Sequence, residues 1–169
     1  MANLQAISKP GFLKKSWKHS SDYLFSAKDT ICTLGATEIP HAMMGMPLAF
    51  VLSDRGYSVV AVLGLQQGRN YFLKSDGQWR GNYIPAAYRA YPFVLAENLE
   101  EKGATALCIY TDDNYLIEGE DHFFNQDLEF SQPVSQKRTD TTVTNGRLYS
   151  DGFIPHIYRK LSINESHYT

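Results

Sequence analysis

Cysteine is scarce in this chain: Cys32 and Cys108 are its two thiols in 169 residues. They form no metal-binding motif and allow at most one disulfide, and they read most simply as two buried thiols in a reducing compartment. Long apolar runs are also missing. The longest uncharged apolar stretch, Ile39 to Ser53, is interrupted by Pro40, His41, Gly45 and Pro47. It falls short of the roughly 20 apolar residues that a membrane-spanning helix requires. Residues 1–20 hold Lys9, Lys14, Lys15 and Lys18 but no apolar core of a secretory leader. The expected location is therefore cytoplasmic, with cell-surface association through leaderless export as the alternative. An excess of one charge is lacking too: 16 basic residues face 18 acidic ones, for a net −2. That balance excludes a globally basic nucleic-acid binder, and no nucleic-acid partner is expected.

The familiar catalytic signatures are absent as well. His19, His41, His122, His156 and His167 form neither an H-E-x-x-H motif nor a zinc-spaced pair with cysteine. Residues 97–129 carry ten acidic groups against Lys102 alone, a local net of −9. That run lacks the spacing of a calcium loop and reads as solvated turns. Gly64 and Gly68 are separated by three residues and followed by Arg69, which is not a phosphate-binding P-loop. There is no G-x-S-x-G nucleophile elbow. No cofactor and no metal are expected.

What the chain does contain is 43% apolar residues and only 20% charged ones, enough to bury a core. The runs Pro47–Leu52 and Tyr57–Leu65 are short and β-branched, and Ser53-Asp54-Arg55-Gly56 between them predicts a hairpin turn. Arg69–Lys74 and Gln78–Tyr83 flank Ser75-Asp76-Gly77, which predicts a second hairpin. Thr105–Tyr110 reads as a further strand, stopped by Asp112-Asp113-Asn114. Short helices are expected around Thr37–Met44 and Ile84–Ala90, each with an early proline, and another near Phe12, Leu13 and Trp17. The fold class is α+β: a mainly antiparallel sheet built from hairpins, with a few short helices. Ser131 to Gly146 has only Val134 and Val143 as aliphatic residues. Such a stretch has little to bury and reads as a loop or disordered. Residues 1–130 are thus expected to form the domain and 131–169 a polar, flexible tail, in which Phe153 to Leu161 could form a docking element.

One constellation remains that could bind something. Arg69, Asn70, Tyr71, Trp79, Arg80, Tyr83, Tyr88, Arg89, Tyr91 and Phe93 combine rings that stack with cations that grip anions. Strand alternation would turn Trp79 and Gly81 one way and Arg80 and Asn82 the other, so about half of the set belongs to the core.

Several of these residues also stand in an ordered series of motifs. Asn3-Leu4-Gln5, Glu38-Ile39-Pro40 and Pro47-Leu-Ala-Phe-Val51 come first. Leu63-Gly-Leu-x-x-Gly68-x-Asn70-x-Phe72, Gly77-x-Trp79 and Tyr83-x-Pro85 follow, then Arg89-x-Tyr91-Pro92-Phe93 and finally Phe123-Phe124. Over residues 3–124 this series resembles the bacterial SapC family, and after Phe124 the chain departs from the family's pattern. The resemblance supplies no catalytic residue. It implies a non-enzymatic accessory or binding component linked to a cell-surface layer or to nutrient and peptide uptake, with an unidentified protein or small ligand as partner. The alternative is a small-molecule-processing enzyme, or its accessory, acting beside TonB-dependent uptake and flavin-dependent halogenase-like proteins. Taken together, the aromatic–arginine segment and the resemblance single out Glu38, Arg69, Asn70, Trp79, Arg80, Tyr83 and Arg89 for binding.

Overall fold

The computed structural model describes residues 4–53, 56–97, 104–111, 115–119 and 122–145. Within these residues eight short strands form three antiparallel sheets, and four helices pack against them, the α+β class expected. The first sheet runs β1 (Leu4–Ala6), β7 (Thr105–Tyr110), β6 (Phe93–Glu97). Its central strand β7 ends in the run Leu107-Cys-Ile-Tyr110 because both of its faces are covered. Leu107 and Ile109 join Phe12, Trp17, Phe93 and Phe123 in one core, while Cys108 and Tyr110 join Val94 on the opposite face. That is the period-two alternation of a strand.

The second sheet is the minimal pair β2 (Ser16–Trp17) and β8 (Leu116–Ile117). The third runs β3 (Ile31–Thr33), β5 (Gly56–Val62), β4 (Leu48–Ser53), with Phe50 opposite Val59 and Leu52 opposite Tyr57. The hairpin expected from Ser53 to Gly56 forms, and Gly56 takes the positive φ, +120°. Cys32 and Ala61 from this sheet pack with Leu34, Met46, Leu63 and Tyr88 into a separate core.

Three local expectations are corrected. The N-terminal helix, α1, spans Lys9–Phe12 rather than reaching Trp17, because Trp17 enters strand β2 and buries its ring edge-on against Phe93. The hairpin around Gly77 shrinks to a single bridge, Leu73 to Trp79, with Lys74 N–H donating to Gln78 O and Arg80 N–H to Phe72 O. Phe72, Trp79 and Tyr83 turn toward the core there, so the flanking residues cannot continue a regular ladder. The stretch expected to be a loop is largely helix α4 (Gln132–Asn145). Its sequence is polar because a narrow stripe of contact suffices: Val134, Asp140 and Thr141 are buried, while most of the remaining positions face water. The predicted Asp112–Asn114 turn and the Phe153–Leu161 element lie outside the described residues. Helix α2 (Ile39–Ala42), preceded by a 3₁₀ turn at Ala36–Glu38, and helix α3 (Ala86–Ala90) fall where their prolines place them.

Two tests arise here. Gly77 has φ +84°, and a Cβ on it would sit 2.7 Å from Asp22 Cβ and 3.0 Å from Leu24 Cγ. Gly77→Val is expected to lower stability by more than about 1 kcal/mol, since it meets both a forbidden conformation and a clash. A urea midpoint equal to the parent's would refute this. Both thiols are free and buried. Burial pushes Cys108 up to about 11 and Cys32 higher still. Neither is expected to react with a disulfide reagent at mildly alkaline pH until the protein unfolds, whereas rapid labelling of the native state would contradict their burial.

No helix among the described residues is long and apolar enough to cross a membrane. Nor do the described His, Cys, Asp and Glu side chains gather into a group of three or more that could hold a metal ion.

Candidate functional site

The site is organised by one buried carboxyl group. Gly35 opens the 3₁₀ turn, and its N–H donates to Glu38 Oε2 at 2.8 Å while Glu38 N–H donates to Gly35 O at 2.9 Å. Glycine has no side chain to cap the turn, so this is the glutamate half of a capping box: Glu38 satisfies a donor at the helix start. Glu38 is 1% exposed, and its other oxygen serves a distant part of the chain. Oε1 accepts from Tyr83 Oη at 2.8 Å and from the N–H of Ala86, the first residue of α3, at 2.6 Å. Three donors thus compensate a carboxyl that would otherwise be costly to bury.

Tyr83 links this interior to the surface. The His41 ring lies 5.9 Å from its ring, nearly parallel at 17°, and the Arg89 guanidinium lies 5.5 Å from its centroid. Burial pushes the Tyr83 phenol above its ordinary range; nearby Arg89 opposes that shift and Glu38 reinforces it. The Tyr83 carbonyl accepts from Trp79 Nε1 at 2.8 Å. The indole in turn stacks on Phe72 and meets the edges of Tyr23 and Tyr88.

Arg89, on α3, connects the cluster to α4. Its Nη2 and Nε donate to Asp140 Oδ1 at 3.0 and 3.3 Å, and Nη1 donates to Ile84 O at 2.7 Å. Burial alone would lower the guanidinium pKa, but Tyr83 and Asp140 outweigh it and the shift is upward. Lys137, one turn before Asp140, donates to the Arg89 carbonyl near the end of α3. Burial lowers the Lys137 pKa, with Asp140 opposing.

Of the seven residues singled out in the sequence, the fold brings Glu38, Trp79, Tyr83 and Arg89 into this one network. Asn70 is buried elsewhere and is a fastener: Nδ2 donates to Ser26 O at 3.1 Å and to Ser26 Oγ, and Oδ1 accepts from Phe72 N–H. Arg69 is exposed over the Tyr71 ring, and Arg80 is exposed beside the single Leu73–Trp79 bridge, although no regular strand forms there. His41, Asp140 and Lys137 belong to the network without having been singled out. His41 follows Glu38 by three residues, a spacing that could have found it. Asp140 and Lys137 were hidden because α4 has almost no apolar periodicity.

The arrangement leaves a partly exposed guanidinium, 33% accessible, beside the Tyr83 ring and the exposed His41. Such a surface can hold an anionic or planar group through charge and stacking. The nearby thiol, Cys32, is buried and its pKa raised, so it is not poised as a nucleophile.

A family model described as SapC matches residues 8–147. The match runs beyond Phe124, where the motif series stopped, and takes in all of α4. No curated protein and no solved structure matches the chain significantly.

Proposed function

The chain belongs to the SapC family, and from that premise we propose that it is a non-enzymatic binding component of cell-surface or nutrient and peptide uptake machinery, gripping its partner at the His41–Tyr83–Arg89 surface. The observation that carries this reading is the commitment of Glu38: both carboxyl oxygens are spent on Gly35, Tyr83 and Ala86. A carboxyl buried on three internal donors holds together the elements that present this surface. The rings and the guanidinium it supports stay partly open to solvent.

The test places a photo-crosslinking residue at exposed position 41 of the full chain in its native host, with the same probe at exposed Lys14 as control. A discrete protein adduct from position 41 alone, recovered with envelope or uptake components, is the expected result. Adducts from Lys14 but not from position 41 would overturn the surface assignment. A second reading, an enzyme or its accessory acting on an imported small molecule, is favoured by the Tyr83 hydroxyl bonded to a buried carboxyl, a pairing that some acid–base sites use. It requires a turnover that Tyr83→Phe abolishes while binding persists.

A further inference from the structure

The β4–β5 hairpin carries a free edge and an open face that the network around Glu38 does not use. Val62 N–H donates to Pro47 O at 2.8 Å, which sets the phase of the ladder. Antiparallel pairs alternate, so Ala49 and Val51 turn their backbone groups toward β5, and Leu48, Phe50 and Leu52 turn theirs outward. Val59 confirms the phase from the other side, its carbonyl accepting from Leu34 N–H across the β3 edge. Among the described residues nothing takes up the outward N–H and C=O groups of Leu48, Phe50 and Leu52.

The side chains at this edge are apolar and open. Phe50 is 74% exposed, Leu52 66%, and Tyr57, opposite Leu52, 67%. Met43 and Met44, in the segment leading into β4, are 62% and 83% exposed. Neither Leu48–Ser53 nor Gly56–Val62 contains a charged residue or a proline. Natural sheets usually protect an edge with lysine, proline or a bulge, and here those devices are missing.

The geometry points to a second copy of this chain as the occupant, pairing β4 against β4 about a two-fold axis through Phe50. The outward residues Leu48, Phe50 and Leu52 are symmetric about Phe50, so the edge is its own complement: Phe50 faces Phe50, and Leu48 faces Leu52 of the other copy. The two sheets join into one continuous sheet with up to about six new backbone hydrogen bonds. Charge favours this occupant, since two uncharged edges meet without repulsion and offer nothing for a charged partner to recognise. The five open side chains expose roughly 600 Å² per copy, so the pair can bury at most about 1,200 Å², the lower bound for a specific interface. The dimer is therefore one that dissociates on dilution.

Sedimentation velocity on the full chain tests this over a wide concentration range. The expected result is a monomer when dilute and a dimer when concentrated, with Phe50→Lys and Leu52→Lys monomeric throughout and unchanged in circular dichroism. A second measurement does not depend on a lysine being tolerated. Phe50→Cys should oxidise to a disulfide-linked dimer, whereas Ser58→Cys, on the other face of the inner strand, should not; Cys32 and Cys108 are buried and do not interfere. A chain that stays monomeric at every concentration, a dimer that survives both lysine substitutions, or equal crosslinking at positions 50 and 58 overturns the proposal. A monomeric chain that instead captures a foreign strand at this edge overturns it equally.

Discussion

Glu38→Ala is expected to lower the stability of the protein by roughly 3–5 kcal/mol, because it strands hydrogen-bond donors in the interior. The loss has three separable parts. Gly35 N–H and Ala86 N–H are left without an acceptor in buried surroundings, and the Tyr83 hydroxyl loses its partner. Each buried unsatisfied donor costs about 1–3 kcal/mol. The substitution also removes a side chain from a fully covered position, where no water is at hand to replace it. Glu38→Gln keeps one acceptor oxygen but turns an amide donor toward another donor, and it should fall between the parent and the alanine variant. Tyr83→Phe takes one of three donors from the buried carboxyl and should cost about 1–3 kcal/mol, less than Glu38→Ala. Urea midpoints order the three variants. If Glu38→Ala fell within about 1 kcal/mol of the parent, the carboxyl would not be organising this region.

Ending the chain at Ser131 is expected to abolish cooperative folding. Val134, completely buried, closes the core formed by Phe12, Trp17, Phe93 and Phe123, and its loss uncovers aromatic surface on several elements at once. Asp140 leaves as well, stripping Arg89 of its carboxylate partner. Helix α4 also lies in close contact with the turn that holds Glu38. A Cβ on Gly35 would fall 1.9 Å from the Val143 carbonyl oxygen, so the two backbones touch where only glycine fits. Together these losses amount to more than about 5 kcal/mol, comparable to the whole stability of a small domain. Near-ultraviolet circular dichroism is the readout, because the T-shaped pairs of Trp17 with Phe93 and Phe12 with Phe123 should give its signal. A fragment ending at Ser131 with the parent's near-ultraviolet spectrum and melting temperature would show that α4 is dispensable. Gly35→Val should act in the same direction by forcing α4 away.

Residue chemistry alone specified the strands that carry their own pattern. The β4–β5 hairpin and β7 are runs of β-branched and apolar residues bounded by turn formers, and Gly56 and Gly77 take the positive φ that their turns demand. The prolines in α2 and near α3 marked helix starts because proline fits where no N–H is needed. The motif series carried the family, and the scarcity of apolar runs carried the lack of a spanning helix among the described residues. Other features were not local properties. Helix α4 has a polar composition and acquires its order from a core that other elements build, so no window of its own sequence announces it. Asn70 looked like a binding residue because an exposed and a buried asparagine are identical in sequence; only Ser26, 44 positions away, makes it a fastener. The union of Glu38, Tyr83, Arg89 and Asp140 likewise spans the chain from the 3₁₀ turn to α4. Periodicity reports which face of an element is apolar, whereas long-range packing decides what that face meets. The strands and their turns were therefore determined locally, and the site, the place of α4 and the open edge of β4 were decided by tertiary structure.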